Sequence, residues 1–93
     1  MAVTILIPTA LRLFTDNLSE IEVENSNIVI EALESLVTEY SDLRRHLFTE
    51  DGALRSFVNV YIGEDDIREL NGLNTALKDG QTLILVPSIA GGV

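Results

Sequence analysis

The chain opens on alternation. Over residues 2–7, Val3, Ile5 and Ile7 share one face and Thr4 and Leu6 the other; this is the two-residue period of a strand, and Pro8 ends it by withdrawing a ladder donor. After a loop around Thr15, Asp16 and Asn17, residues 18–24 set Ile21 and Val23 against Glu20, Glu22 and Glu24, a half-buried strand with an acidic outer face. The two read as an antiparallel hairpin with a generous loop. From Ile28 the period lengthens: Val29, Ala32, Leu33, Leu36, Val37 and Tyr40 recur at steps of three and four, with Glu31, Glu34, Ser35, Thr38 and Glu39 opposite. That predicts the main helix, with Asn25, Ser26 and Asn27 supplying cap residues. Residues 41–48 carry spacing for a second short helical piece, and Asp51 with Gly52 turns the chain. Residues 57–62 are β-branched and aromatic and predict a third strand closed by Gly63; residues 67–70 predict a short edge strand; residues 81–86 predict the last strand, apolar on both faces. Asn71 with Gly72 and Asp79 with Gly80 mark turns.

This order gives an α+β class with a mixed sheet and one long helix across one face. A single helix covers one side only. If Val3, Ile5, Val58, Val60, Leu83 and Leu85 face it, then Leu6, Tyr61, Ile84 and Val86 lie on the far side with no internal partner, a plausible docking surface continued by Ile89.

Length and charge narrow the function. A chain of 93 residues forms one domain and is too small for a deep cleft, which favours a carrier or binding module over an autonomous enzyme. The formal net charge of −9 argues against nucleic acid and for a partner with a basic docking surface. No apolar run spans a membrane and residues 1–8 lack the basic start of a signal peptide, so a cytoplasmic protein is expected. With no cysteine there is no disulfide, thiolate metal site or thiol nucleophile; if the protein handles sulfur, it cannot do so on a side-chain thiol. Lys78 is the single lysine, a poor endowment for building chains of itself.

Gly91 and Gly92 follow an apolar strand, where glycine contributes no packing and costs backbone entropy. The pair makes sense as a substrate: without Cβ the chain end threads a narrow channel and presents its carboxylate unhindered. A frayed terminus is the alternative. The remaining polar groups offer less. Glu64, Asp65 and Asp66 read as a solvated acidic turn, His46 as a structural or surface residue with no nucleophile or ligand at telling spacing, and Arg44 and Arg45 as a solvated helix face. No catalytic residue and no metal site are expected, since no phosphate loop, paired-carboxylate site or zinc pattern occurs.

Three segments carry a resemblance: residues 7–12, reading IPTALR; residues 55–61, reading RSFVNVY; and residues 79–92, reading DGQTLILVPSIAGG. With the ββαββ pattern they resemble the β-grasp, ubiquitin-like sulfur carriers of molybdopterin, thiamine and cysteine synthesis, and the cysteine-synthesis branch above all. The resemblance implies a β-grasp domain over 1–87 and a flexible glycine tail over 88–93. It implies that a ubiquitin-activating-type adenylyltransferase uses ATP to adenylate the Gly92 carboxylate, which sulfur then converts to a thiocarboxylate. The carrier itself binds no cofactor. In the cysteine branch the thiocarboxylate attacks an aminoacrylate on a pyridoxal-phosphate-dependent cysteine synthase, and a metalloprotease releases the adduct. The family's active form ends at the second glycine, whereas Val93 follows it here, so trimming of Val93 by a peptidase is expected; an added residue or an inactive relative are the alternatives. Other readings stay open: a ubiquitin-like modifier joined through Gly92 to lysines, a carrier for molybdopterin, thiamine or tRNA thiolation, or an interaction domain without the chemistry.

Overall fold

The computed structural model describes residues 2–87. Its five strands are β1 (Ala2–Leu6), β2 (Glu20–Glu24), β3 (Val58–Ile62), β4 (Asp65–Asp66) and β5 (Thr82–Pro87); its helices are α1 (Val29–Glu39) and the short α2 (Arg44–Leu47). The sheet order is β2-β1-β5-β3-β4. β1 runs antiparallel to β2 and parallel to β5, while β5 runs antiparallel to β3, so the sheet is mixed as expected.

The alternation in β1 and β2 does what the pattern requires. Val3 and Ile5 pair with Val23 and Ile21 on the covered face, and all four are buried. Opposite them lies α1, whose Val29, Ala32, Leu33, Leu36 and Val37 are buried. Val58, Val60, Leu83 and Leu85 complete the core under the helix. Leu43, Leu47 and Phe48 close its end from the 3₁₀ turn Ser41–Leu43 and from α2, the second helical piece expected there.

Three local expectations give way. The cap of α1 is not a side chain of Asn25, Ser26 or Asn27: Ile28 is the N-cap residue, in extended conformation with no side-chain cap bond. Its start is fastened instead by backbone bonds to a distant segment and by one carboxylate of the helix itself. The Val29 N–H donates to the Thr75 carbonyl at 3.0 Å, the Leu77 N–H to the Asn27 carbonyl at 2.8 Å, and the Glu31 carboxylate accepts from the Asn27 N–H at 2.8 Å. Residues 67–70 are not an edge strand. The edge is Asp65–Asp66, paired with Ile62 and Tyr61, and Ile67–Glu69 is a 3₁₀ turn that sends Ile67 into the core and is capped by the Asp66 carboxylate. The loop between β1 and β2 carries a 3₁₀ helix, Thr9–Phe14, where only loop was expected. The Arg12 Nε donates back to the Ile7 carbonyl at 3.0 Å, and the buried Thr15 hydroxyl lies 3.1 Å from the Leu18 carbonyl it can serve. Asp16 and Asn17 then turn the chain at positive φ, a conformation their short polar side chains tolerate.

At the start of β5, Gly80 turns at φ 84°, a region closed to most residues with a Cβ. Its N–H reaches the Ala2 carbonyl at 2.7 Å while the Asp79 carboxylate accepts from the Ala2 N–H at 2.7 Å. The turn clips the entry of β5 to β1 and so sets the parallel register in the middle of the sheet.

Candidate functional site

Strand period fixes what the uncovered face of the sheet presents. Leu6 is paired with Ile84 across β1 and β5, and Ile84 with Tyr61 across β5 and β3. These side chains form one continuous row over the three central strands, each half-buried. The register extends it at both ends, to Glu20 opposite Leu6 on β2 and to Asp66 opposite Tyr61 on β4. Adjacent strands stand about 4.8 Å apart, so the apolar part of the row is about 10 Å wide. Two residues on along β5, Val86 is 39% exposed beside Asn59, and Pro87 ends the strand against Val58. The expected docking residues Leu6, Tyr61, Ile84 and Val86 are therefore brought together on one face, in the strand phase the alternation predicts. Ile89, Gly91, Gly92 and Val93 lie outside the described residues.

The structure adds neighbours that the sequence reading left aside. Arg68 stands at the β4 end of the row: its guanidinium meets the Asp66 carboxylate at 2.8 Å and also bonds the Asn59 side chain. That hydrogen bond from Arg68 holds the Asp66 carboxyl below its usual range, with the Arg68 backbone N–H adding a second donor; the same pairing raises the Arg68 guanidinium. Asp66 is thus a structural member of the rim rather than part of a solvated turn, whereas Glu64 and Asp65 are exposed. Phe57 stands just before β3, not within it, and is 47% exposed with the Arg55 guanidinium 6.0 Å from its ring centre. A sequence signal for Asn59 and Arg68 did exist, in the alternation that puts Asn59 beside Tyr61 and in the Asp66–Arg68 spacing of a local cap.

The other polar candidates sit away from this face. His46 stacks on Phe14 with ring centres 4.2 Å apart, a packing role. Arg44 forms a two-point contact with Glu34 at 3.1 and 3.3 Å, and the Arg45 carbonyl accepts from Arg55 Nε at 2.6 Å. Among the described residues no group of His, Asp or Glu is placed to hold a metal, and no helix is long and apolar enough to cross a membrane.

The apolar row lies on the strand that precedes the glycine pair in sequence, and comparisons with known proteins bear on what such an arrangement serves. The model of the ThiS family matches residues 5–92. The chain belongs to the ThiS family. It is 35% identical over 96 residues to the sulfur carrier protein CysO of Mycobacterium tuberculosis, covering 99% of this chain and 100% of the relative. It is 37% identical over 70 residues to small archaeal modifier protein 3 of Haloferax volcanii, covering 75% of each. Among solved structures it superposes on a chain of the Amycolatopsis orientalis BexX/CysO complex with a TM-score of 0.86 and 34% identity, over 97% of this chain and 99% of that one. The fold is thus the β-grasp of the ubiquitin-like carriers, and a member of this family is a small carrier rather than an enzyme.

Proposed function

We propose that this ThiS-family protein carries sulfur as a thiocarboxylate on Gly92, after removal of Val93, and delivers it to cysteine biosynthesis. One observation carries the reading: the row Leu6, Ile84 and Tyr61 lies on β5 and its two neighbours, and β5 is the strand that leads to the glycine pair. An enzyme gripping this row has the chain end within reach. Pro87 lies three positions beyond Ile84, about 10 Å along the strand, and Gly92 five positions beyond that, at most about 18 Å of chain. Full-length similarity to CysO supports the sulfur chemistry and the cysteine branch.

The steps follow from the carboxylate. A ubiquitin-activating-type adenylyltransferase joins the Gly92 carboxylate to the α-phosphorus of ATP, releasing pyrophosphate. Sulfide attacks the acyl carbon and expels AMP, leaving the thiocarboxylate; a persulfide donor would expel AMP to give an acyl disulfide, whose S–S bond an external dithiol then reduces to release the thiocarboxylate. A carboxylate resists nucleophiles; AMP as leaving group removes that resistance. The carrier supplies the acyl group, and its partners supply acid, base and metal. A pyridoxal-phosphate-dependent cysteine synthase then receives the thiocarboxylate and a metalloprotease frees the product, the same class of enzyme that trims Val93.

Similarity to the archaeal modifier favours a second reading, in which the activated Gly92 carbonyl is attacked by a lysine amine and forms an isopeptide bond. Activation is shared; the last nucleophile differs. Intact-mass measurement decides between them on the chain ending at Gly92, incubated with the activating enzyme, ATP and sulfide. The account expects the oxygen-to-sulfur increase on free carrier. Lysine conjugates without that increase would overturn it in favour of the modifier.

A further inference from the structure

A cleft of about 390 Å³ opens beside α2, within the range of about 300–1,000 Å³ that small-molecule sites occupy. Its lining comes from two stretches of chain, residues 41–45 and residues 48–55, with buried Phe48 as the apolar part. The second stretch is held in shape by its own bonds: the Thr49 N–H donates to the Ala53 carbonyl at 2.8 Å, and the Ala53 N–H returns to the Thr49 hydroxyl at 3.2 Å. Arg55 joins the two stretches, its Nε donating to the Arg45 carbonyl at 2.6 Å. Arg44, also in the lining, is paired with Glu34. Arg45, Arg55, Asp42 and Glu50 line the same cleft, and among the described residues none of the four is in an ion pair. Arg45 has its Nε 3.5 Å from the His46 ring nitrogen and no carboxylate partner there. Two guanidinium groups and two carboxylates therefore share one cleft without neutralising each other.

We infer that this cleft binds a small zwitterion, an α-amino acid by class, with the ligand's carboxylate at Arg45 and Arg55 and its ammonium group at Asp42 and Glu50. The balance of charge decides the class. A phosphate ester or other polyanion would meet two carboxylates in the lining and, beyond them, the field of a chain with net charge −9. A simple cation would meet two guanidinium groups. A zwitterion meets both signs and carries no net charge for the field to repel. Guanidinium suits the carboxylate end, since its planar fork of N–H donors matches two carboxylate oxygens. The bond to the Arg45 carbonyl uses only the Nε of Arg55, so both terminal nitrogens of that side chain remain for a ligand. Phe48 gives the ligand's side chain an apolar surface to rest on. The inference goes beyond the carrier reading and stands without it, because no activating enzyme takes part.

Two-dimensional amide NMR of the isotope-labelled full chain, titrated in turn with each of the common L-amino acids, tests this. At least one should bind with a dissociation constant of about 1 mM or tighter and move amide signals chiefly within residues 41–55. The N-acetyl derivative and the methyl ester of that amino acid each lack one of its two charges, and each should bind about tenfold or more weaker. Inorganic phosphate should not displace it. The double variant Asp42→Asn, Glu50→Gln should weaken binding about tenfold or more, as should Arg45→Gln, Arg55→Gln, whereas Glu24→Gln, Lys78→Gln, exposed and outside the lining, should change it by less than about twofold. Melting temperature establishes that each variant is folded; if the arginine pair is not, the carboxylate pair and the two ligand derivatives carry the test. Binding by no amino acid, signal changes centred outside residues 41–55, or parent-like affinity in the carboxylate variant would overturn the inference. Equal binding of the N-acetyl derivative, or displacement by phosphate, would make the cleft a plain anion site and overturn it too.

Discussion

Leu83 and Ile84 are neighbours in sequence and opposites in role. Leu83 is fully buried under α1, whereas Ile84 sits in the row on the uncovered face. Leu83→Glu should therefore abolish cooperative folding, because it buries an unpaired charge in the centre of the sheet. Ile84→Glu should fold with a melting temperature within a few degrees of the parent and lose affinity for the activating enzyme; reversed phenotypes would place the strand one residue out of phase. At the rim, Asp66 supplies a pH dependence whose sign is fixed. Its carboxyl is held below the ordinary value of 3.8 by the Arg68 hydrogen bonds, so its contribution to stability is present above that value and is lost as pH falls through the lower folded one. Acid titration of stability should show a shallower loss below pH 3.8 in Asp66→Asn than in the parent; identical profiles would show that the pair contributes nothing.

Among the elements, those with a clean period were legible and those held by tertiary contacts were not. β1, β2, α1 and the phase of β5 follow from two-residue and three-to-four-residue spacing, because each buries one face against a single layer. The sequence of residues 67–70 has strand-like composition at Ile67 and Leu70, yet a two-residue strand and a capped 3₁₀ turn occupy the region. Arg68 bonds back to Asp66 and Asn59, which bends the chain and turns Ile67 inward. Ile67→Ala should therefore cost about 2–5 kcal/mol in chemical denaturation, as for a core residue; an effect under about 1 kcal/mol would match an exposed edge instead. Likewise the start of α1 shows nothing in its own sequence of the backbone bonds to Thr75 and Leu77 that fasten it, which come from a segment more than forty residues away. The uncovered apolar face was legible for the same reason as the strands: with one long helix available, the apolar residues of the opposite phase have no internal partner. The acidic outer face of residues 18–24 was also visible in sequence, but its position beside Leu6 required the register.

At the scale of the whole molecule, the mixed sheet clamps β5 between β1 and β3, so the strand that precedes the glycine pair in sequence is paired along both edges. For the proposed carrier role, a face already ordered by the register of β1, β5 and β3 suits docking, since the ordering it needs is present before the encounter. The central claim is that Gly92 is the residue that carries sulfur. The most direct test compares the chain ending at Val93 with one ending at Gly92, each incubated with the activating enzyme, ATP and sulfide and then weighed intact. A residue with a branched Cβ in the channel moves the carboxylate on by at most about 3.6 Å, and in near-attack geometry about 1 Å already costs roughly a hundredfold in rate. The account predicts the oxygen-to-sulfur mass increase on the Gly92 form and its absence on the Val93 form. Equal conversion of both, or conversion of neither by an enzyme that binds them, would contradict it.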